Sequence, residues 1–302
     1  MKYGGGFDSK GSMDEIERIA AIPIDKWKQD IKSFRELPFE AMAESQIEKE
    51  WKKRGFPILY IQFPSASIPE TVYRVRPVKQ EDTIYTQIQS SFSNPPPEFT
   101  KQGRANKESN PVFYCALDKQ VAIAESKLGD ARDFFLSKWR LTEPPNLYPF
   151  LNYKETSIYH GLRKHHQEKM KKFFTENVGT ASVHFQELNE LFADSFLFNH
   201  YNLSSWIAHK TIYEFPQSFD GILYPSEVVN HNGMNIAFHP NFIVRSLKLE
   251  KVYLCSCGRK NKDAYNIFLK EYGQIVRNGI HYTKFENLTK EMVDDFWEGL
   301  KD

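Results

Sequence analysis

An α+β fold is predicted by three features of the sequence. Apolar residues recur at helical spacing near both ends of the chain, short alternating or aromatic segments bounded by Pro, Gly and Asn occupy the middle, and a charged, helix-like stretch interrupts those segments. The 302 residues suffice for one large domain with extensions or for two modest ones. A composition that is 40% hydrophobic and 15% aromatic, with 24 Phe and 15 Tyr, predicts a folded aromatic interior rather than disorder.

Taken in order, the first dozen residues, with Gly4-Gly5-Gly6, read as a flexible leader. From Met13 to Arg54 the pattern is helical, with Ala43, Ile47 and Trp51 at four-residue spacing and Gly55 as a stop, so residues 1–68 are expected to form a helical N-terminal extension. The body is expected over 69–250. Within it Thr71-Val72-Tyr73-Arg74-Val75-Arg76 alternates like a half-buried strand ended by Pro77, which puts Arg74 and Arg76 on one face. Residues 86–111 form a long loop holding Pro95-Pro96-Pro97, Pro111 to Leu117 reads as a strand, and Lys119 to Lys127 as a helix that carries Glu125. Arg132 to Glu214 is expected to be mostly helical, with His165 to Lys172 as a solvated face and Ser204-Ser205 capping a helix start. A turn followed by a strand is expected over Phe219–Ser226, then short strands at Asn235–Phe238 and Leu249–Leu254. Two amphipathic helices, one on Tyr265, Phe268, Leu269 and Tyr272, the other on Met292, Val293, Phe296 and Trp297, are expected to complete a C-terminal helical extension over 251–302.

Composition also excludes some classes of function. Forty basic residues against 39 acidic ones leave a formal charge of +1, so no global field attracts nucleic acid or an anionic membrane, and any anion site must be local. No apolar stretch approaches the roughly 20 residues of a membrane helix. Three cysteines without an apolar leader predict a reducing, cytoplasmic setting. Cys255-Ser256-Cys257-Gly258 supplies only half a zinc site, with Cys115 in an expected core strand, and no metal is predicted.

Three short blocks in one order carry the chemistry: Tyr73-Arg74-Val75-Arg76-Pro77, then Gly103-Arg104-Ala105-Asn106 leading to Tyr114 and Glu125, then Tyr224-Pro225-Ser226. Arginines, one carboxylate, a tyrosine and a serine suit a substrate that carries phosphates and a labile glycosidic bond. Arginine presents a planar fork matched to phosphate oxygens, and Arg74 with Arg104 is the expected pair, Arg76 competing for the place of Arg74. Asn106 is suited to holding its own loop. The plainer readings are a strand-edge salt bridge for Arg74, a core position for Tyr114 and an ion pair with Lys127 for Glu125. Ser226 is expected to position substrate rather than attack it, because no neighbouring base would activate it.

The order and spacing of these blocks resemble the RES family, named for its arginine, glutamate and serine. The resemblance covers residues 71–240. It implies an ADP-ribosyltransferase-like core of short mixed strands with surrounding helices, and breakdown of NAD+, commonly by the toxin half of a bacterial toxin–antitoxin pair. It implies Glu125, Arg74 and Arg104 as catalytic residues, Tyr114, Ser226, Arg76 and Asn106 as contacts to NAD+, and NAD+ as the substrate. Nicotinamide is already a cationic leaving group, so one carboxylate beside the ribose suffices to stabilise an oxocarbenium-like transition state. Water or inorganic phosphate would complete glycohydrolase or phosphorylase chemistry. The alternatives are ADP-ribosyl transfer to a protein, with the loop from Thr86 to Asn110 recognising the acceptor, and a nucleotide-binding module without turnover. The family's usual antidote, an Xre-type helix-turn-helix protein, is the implied partner. The helical ends and the long insertion between Glu125 and Ser226 depart from the compact family pattern, and the added helices are expected to shield the pocket in cis or to recruit another partner.

Overall fold

The structure is a computed structural model that describes residues 9–58, 68–78, 89–126, 128, 133–150, 168, 172, 175–176, 178–197, 201–214, 219–226, 228, 233–261, 264–277 and 279–300. In chain order the longer elements are α1 (Ser9–Ala20), α2 (Ile24–Arg35), α3 (Glu44–Lys53), β1 (Thr71–Pro77), β2 (Phe113–Ala116), α4 (Lys119–Glu125), β3 (Asp133–Leu141) and β4 (Leu147–Pro149). They continue with α5 (Ser182–Leu197), α6 (Tyr201–Ala208), β5 (Gly221–Pro225), β6 (Met234–Phe238), α7 (Pro240–Ser246), β7 (Leu247–Asn261), β8 (Ala264–Val276), β9 (Gly279–Lys284) and α8 (Lys290–Trp297). The class is α+β, as predicted. Among the described residues no helix is long and apolar enough to cross a membrane.

The chain divides into two compact units. The first comprises Met1–Phe63, Thr100–Asn110 and Asn146–Tyr224. Pro23 precedes α2, whose residues Trp27, Ile31 and Phe34 recur at helical spacing and are buried. The indole nitrogen of Trp27 donates to the carbonyl of His184, 2.9 Å away, and Nε2 of that histidine lies 2.8 Å from the Ile22 carbonyl. On α3, Trp51 stacks on Phe192 of α5 with centroids 5.4 Å apart and meets Trp206 of α6 at the same distance. β4 and β5 pair in parallel, Leu147 opposite Gly221 and Pro149 opposite Leu223. The N-terminal helices therefore share one aromatic core with the insertion. The expected boundary, which set residues 1–68 apart as an extension, does not follow the packing.

The second unit comprises Pro64–Phe99, Pro111–Pro145 and Pro225–Asp302. Its strands run β6-β2-β1-β3-β7-β8-β9, and each neighbouring pair in that series is antiparallel. Alternation gives the sheet two distinct faces. Tyr73, Val75, Phe134, Leu136, Tyr253 and Cys255 pack in one core with Val121, Ala122 and Ile123 of α4 and Phe296 of α8. Val72, Arg74 and Arg76 project the other way, where Phe113 meets Trp139 at 5.0 Å and Phe92 meets Phe135 at 5.3 Å.

Three expectations are corrected. The stretch from Arg132 to Glu214 carries the expected helices in α5 and α6, but its described part begins with β3, a strand between β1 and β7 whose residues Phe134 to Ser137 are all buried, so no alternation marks it. Ser204 and Ser205 do not cap a helix but lie inside α6, buried. The segment around Tyr265 to Tyr272 is a strand, not an amphipathic helix, and the C-terminal region is not a helical extension. Leu254 pairs with Glu271 and Cys255 with Leu269, so Lys270 is an extra residue at a bulge. The bulge sets buried Leu269 and Tyr272 three residues apart, a helical interval, while Phe268 is 57% exposed. Of the expected solvated face, only Glu168 and Lys172 lie within the described residues, and both are exposed.

On the α8 side, the Asp295 carboxylate accepts from the hydroxyls of Tyr253 at 2.6 Å and Tyr272 at 3.0 Å, and from Lys138 and Lys251, each at 3.2 Å. Burial pushes this carboxyl up, but the Tyr253 hydrogen bond and the two lysines outweigh it and hold it down at about 2, against 3.8 unperturbed. The unfolded chain therefore takes up this proton first as pH falls. The stability the group contributes is fully present above about pH 4 and lost towards pH 2. Thermal melting across that window is expected to fall more steeply for the wild type than for Asp295→Asn, which has no carboxyl to titrate; parallel slopes would contradict the assignment.

Candidate active site

Five of the predicted site residues, Arg74, Arg76, Tyr114, Glu125 and Ser226, lie in the second unit, and two, Arg104 and Asn106, in the first. β1 places both arginines on one face, Arg74 opposite Ser137 and Arg76 opposite Phe135. Ser137 Oγ donates to the Arg74 carbonyl at 3.0 Å and accepts from the Trp139 indole at 2.9 Å, which fixes the strand locally. The Arg74 guanidinium carbon lies 4.9 Å from the centre of the Phe113 ring. Nη1 of Arg74 is buried and has no hydrogen-bond partner among the described residues. Burial lowers this guanidinium to about 10; Cys115 and Tyr114 oppose the shift and Arg76 adds to it. The group is still a cation at neutral pH. A buried fork of donors without a carboxylate is matched by an anion. Arg76 packs over the rings of Phe92 and Phe135 at 5.9 and 5.6 Å.

Glu125 is the last residue of α4, a helix whose N-cap Asp118 accepts from the Val121 amide at 2.8 Å. Its Oε1 accepts from Nδ2 of Asn235 at 2.6 Å. Oε2 accepts no hydrogen bond among the described residues. Asn235 sits opposite Ala116 on β6, and Tyr114 sits opposite Ala237. Since Ala116 packs against α4, alternation puts Asn235 and half-buried Tyr114 on that same side. The arginines thus project from one face of the sheet, and Glu125, Asn235 and Tyr114 group at the other.

Ser226 follows β5 and is fully buried; its amide donates to the Gly233 carbonyl at 2.8 Å, and its Oγ has no partner among the described residues. Gly233 approaches α4 so closely that a Cβ there would stand 2.0 Å from Cγ2 of Val121. In the first unit, Arg104 donates from Nη1 to the Phe196 carbonyl and lies 5.9 Å from the Tyr201 ring. The Asn106 amide donates to the carbonyls of Lys101 and Lys107, each at 2.8 Å, and so closes its own loop.

Two residues of this arrangement escaped sequence reasoning. Asn235 was visible only as a polar residue inside the apolar run Met234-Asn235-Ile236-Ala237-Phe238, and Gly233 only as a turn glycine. A family model for the RES domain matches residues 71–251, more than half of the chain. A search of curated proteins found no match.

Gly233→Ala is expected to push α4 away from β6, to cost about 1–3 kcal/mol in denaturant unfolding, and to weaken any function that needs Glu125 in place. Val121→Ala in the same chain should recover part of that loss, because it removes the methyl groups the new Cβ meets. Strict additivity of the two substitutions would sink this account of the contact.

Proposed function

The chain belongs to the RES domain family, and from that premise we propose that it cleaves the nicotinamide–ribose bond of NAD+. The family is one of NAD+-related, ADP-ribosyltransferase-like modules. The observation that carries the reading is the Glu125 carboxylate, held through Oε1 by Asn235 while Oε2 accepts from no described residue. A carboxylate fixed in this way stabilises positive charge developing on a ribose ring. In the proposed reaction the C–N bond breaks, nicotinamide leaves as the neutral amide with the bonding electrons, and the ribosyl cation is captured at its anomeric carbon. Capture by water releases ADP-ribose and a proton; capture by inorganic phosphate gives the 1-phosphate ester.

Arg74 supports the phosphate half of this reading, since its buried guanidinium meets no carboxylate among the described residues. Ser226, with an unpartnered buried hydroxyl, is assigned to positioning. Arg104 is assigned to the phosphates on its place in the Gly-Arg-Ala-Asn motif, and Tyr114 and Arg76 to contacts with the dinucleotide. A toxin role, with an Xre-type protein as antidote, belongs to the same proposal. It predicts that expression arrests growth and that Glu125→Gln relieves the arrest.

The roles assigned to Glu125 and Arg74 differ, so their substitutions should separate chemistry from binding. With NAD+, with and without phosphate, Glu125→Gln is expected to reduce nicotinamide release by a factor of about 100 or more at little change in KM. Arg74→Met is expected to raise KM roughly tenfold or more and to lower kcat far less. Chromatography and mass spectrometry would read both nicotinamide and the second product. Intact NAD+ with the wild type under every condition would overturn the proposal.

A further inference from the structure

Both arms of the loop that carries Arg104 are tied to the short stretch between α2 and the start of α3, and every residue in these ties lies in the first unit. Asn202, the second residue of α6, turns its Nδ2 towards three backbone carbonyls, those of Phe39 at 3.0 Å, Glu40 at 3.3 Å and Met42 at 3.3 Å. Carbonyls only accept, so this side of the amide must be the NH2 group, and its oxygen points away from them. That oxygen accepts from Nε2 of Gln102 at 2.9 Å, two residues ahead of Arg104, and the same Nε2 donates to Ser205 Oγ at 3.0 Å. On the other arm, the Lys107 ammonium meets the carboxylate of Glu44, the first residue of α3, at 2.6 Å.

Between these ties the loop is a closed piece. The Gly103 amide donates to the Asn106 carbonyl at 3.0 Å, the Asn106 side chain joins the carbonyls of Lys101 and Lys107, and Ala105 is fully buried. A loop closed on itself moves as a unit, so the place of Arg104 is set by what holds the two arms. The Glu44 side chain is 46% exposed, and its ion pair with Lys107 is weakened by solvent. The half-buried Asn202 amide, bonded at both its nitrogen and its oxygen, is the firmer tie. The carbonyls it holds, at 39 to 42, precede the family match, which begins at residue 71.

Resting on the assignment of Arg104 to the phosphates of NAD+, we propose that Asn202 is a positioning residue: it fastens the Arg104 loop to the turn between α2 and α3, so that the N-terminal helices set the place of the arginine instead of shielding the site. The test uses the full chain with Asn202→Ala, Gln102→Ala and Arg104→Met, and Arg104→Met combined with each of the other two, with thermal melting to verify folding. Gln102 is exposed, so its variant keeps the test available should Asn202→Ala fail to fold. Asn202→Ala is expected to raise KM for NAD+ about tenfold and Gln102→Ala about threefold, with far smaller losses in kcat. In the Arg104→Met background either should add less than about twofold, because the arginine they place is gone. Hydrogen exchange is expected to quicken at the amides of Gly103 and Ser109, both bonded within the loop, and to stay unchanged in α2. A merely structural role would add in full to Arg104→Met and would quicken exchange throughout the first unit. Either result, an unchanged KM in Arg104→Met, or a rise in kcat/KM such as the loss of a shield would give, would overturn the inference. If the wild type cleaves no NAD+, the cleavage reading fails and exchange alone decides Asn202: faster exchange confined to residues 100–110 supports the tie, and equal exchange in wild type and variants refutes it.

Discussion

Lys119 opens α4 with an ammonium group that is almost wholly buried, 2% exposed, and much of the second unit serves to satisfy it. Its Nζ donates to the carbonyls of Asp295 at 2.7 Å, Phe296 at 2.9 Å and Glu298 at 2.7 Å, at the end of α8. Those last carbonyls have no partner within their helix and carry the negative end of its dipole. The rings of Tyr73 and Tyr253 flank the same ammonium, each centre 5.6 Å away. Burial lowers the group to about 8, with Asp295 opposing, so it stays protonated at neutral pH. A seven-residue helix such as α4 is not stable by its own hydrogen bonds. Here α8 fixes its first residue, Gly233 lets β6 close on its middle, and Asn235 holds its last.

From that arrangement follows the division of β1 between two tasks. Tyr73 and Val75 face the core beneath α4, and Arg74 and Arg76 face the opposite side. A strand has period two, so the residues that anchor the helix and those that meet an anion must alternate. The aromatic rings on the arginine side follow from the same constraint. Phe113 packs on Arg74, and Phe92 and Phe135 pack on Arg76, so each guanidinium is flanked by a ring face, and Arg74 keeps its buried Nη1 donor for a ligand.

The parts legible in the sequence were those set by neighbours in the chain. Alternation over Thr71 to Arg76 gave the shared face of the arginines, and the helical spacing after Asp118 placed Glu125 on a helix behind a strand. What was hidden depends on distant partners. β3 is covered on both faces, so its Phe134-Phe135-Leu136 run shows no period, and the charged residues around it suggested a helix. The bulge at Lys270 disguised β8 by giving its buried residues a helical interval. Asn235 lies 110 residues from the carboxylate it holds, and the contact between Gly233 and Val121 spans a comparable distance. Neither leaves a local signal.

The family match ends at residue 251, inside β7, yet the physical unit does not end there. Asp133, at the start of β3, pairs with Ser256, and Lys270 of β8 binds the Asp133 carboxylate at 2.8 Å. The acceptors for Lys119 lie at 295 to 298. A chain cut at the end of the match would leave β3 half paired and the Lys119 ammonium without the carbonyls that anchor it. The first residue of α4 would lose its anchor before any ligand was bound. The C-terminal strands and α8 are accordingly part of the body that positions Glu125, and what the sequence suggested as an appended segment is the support on which that carboxylate rests.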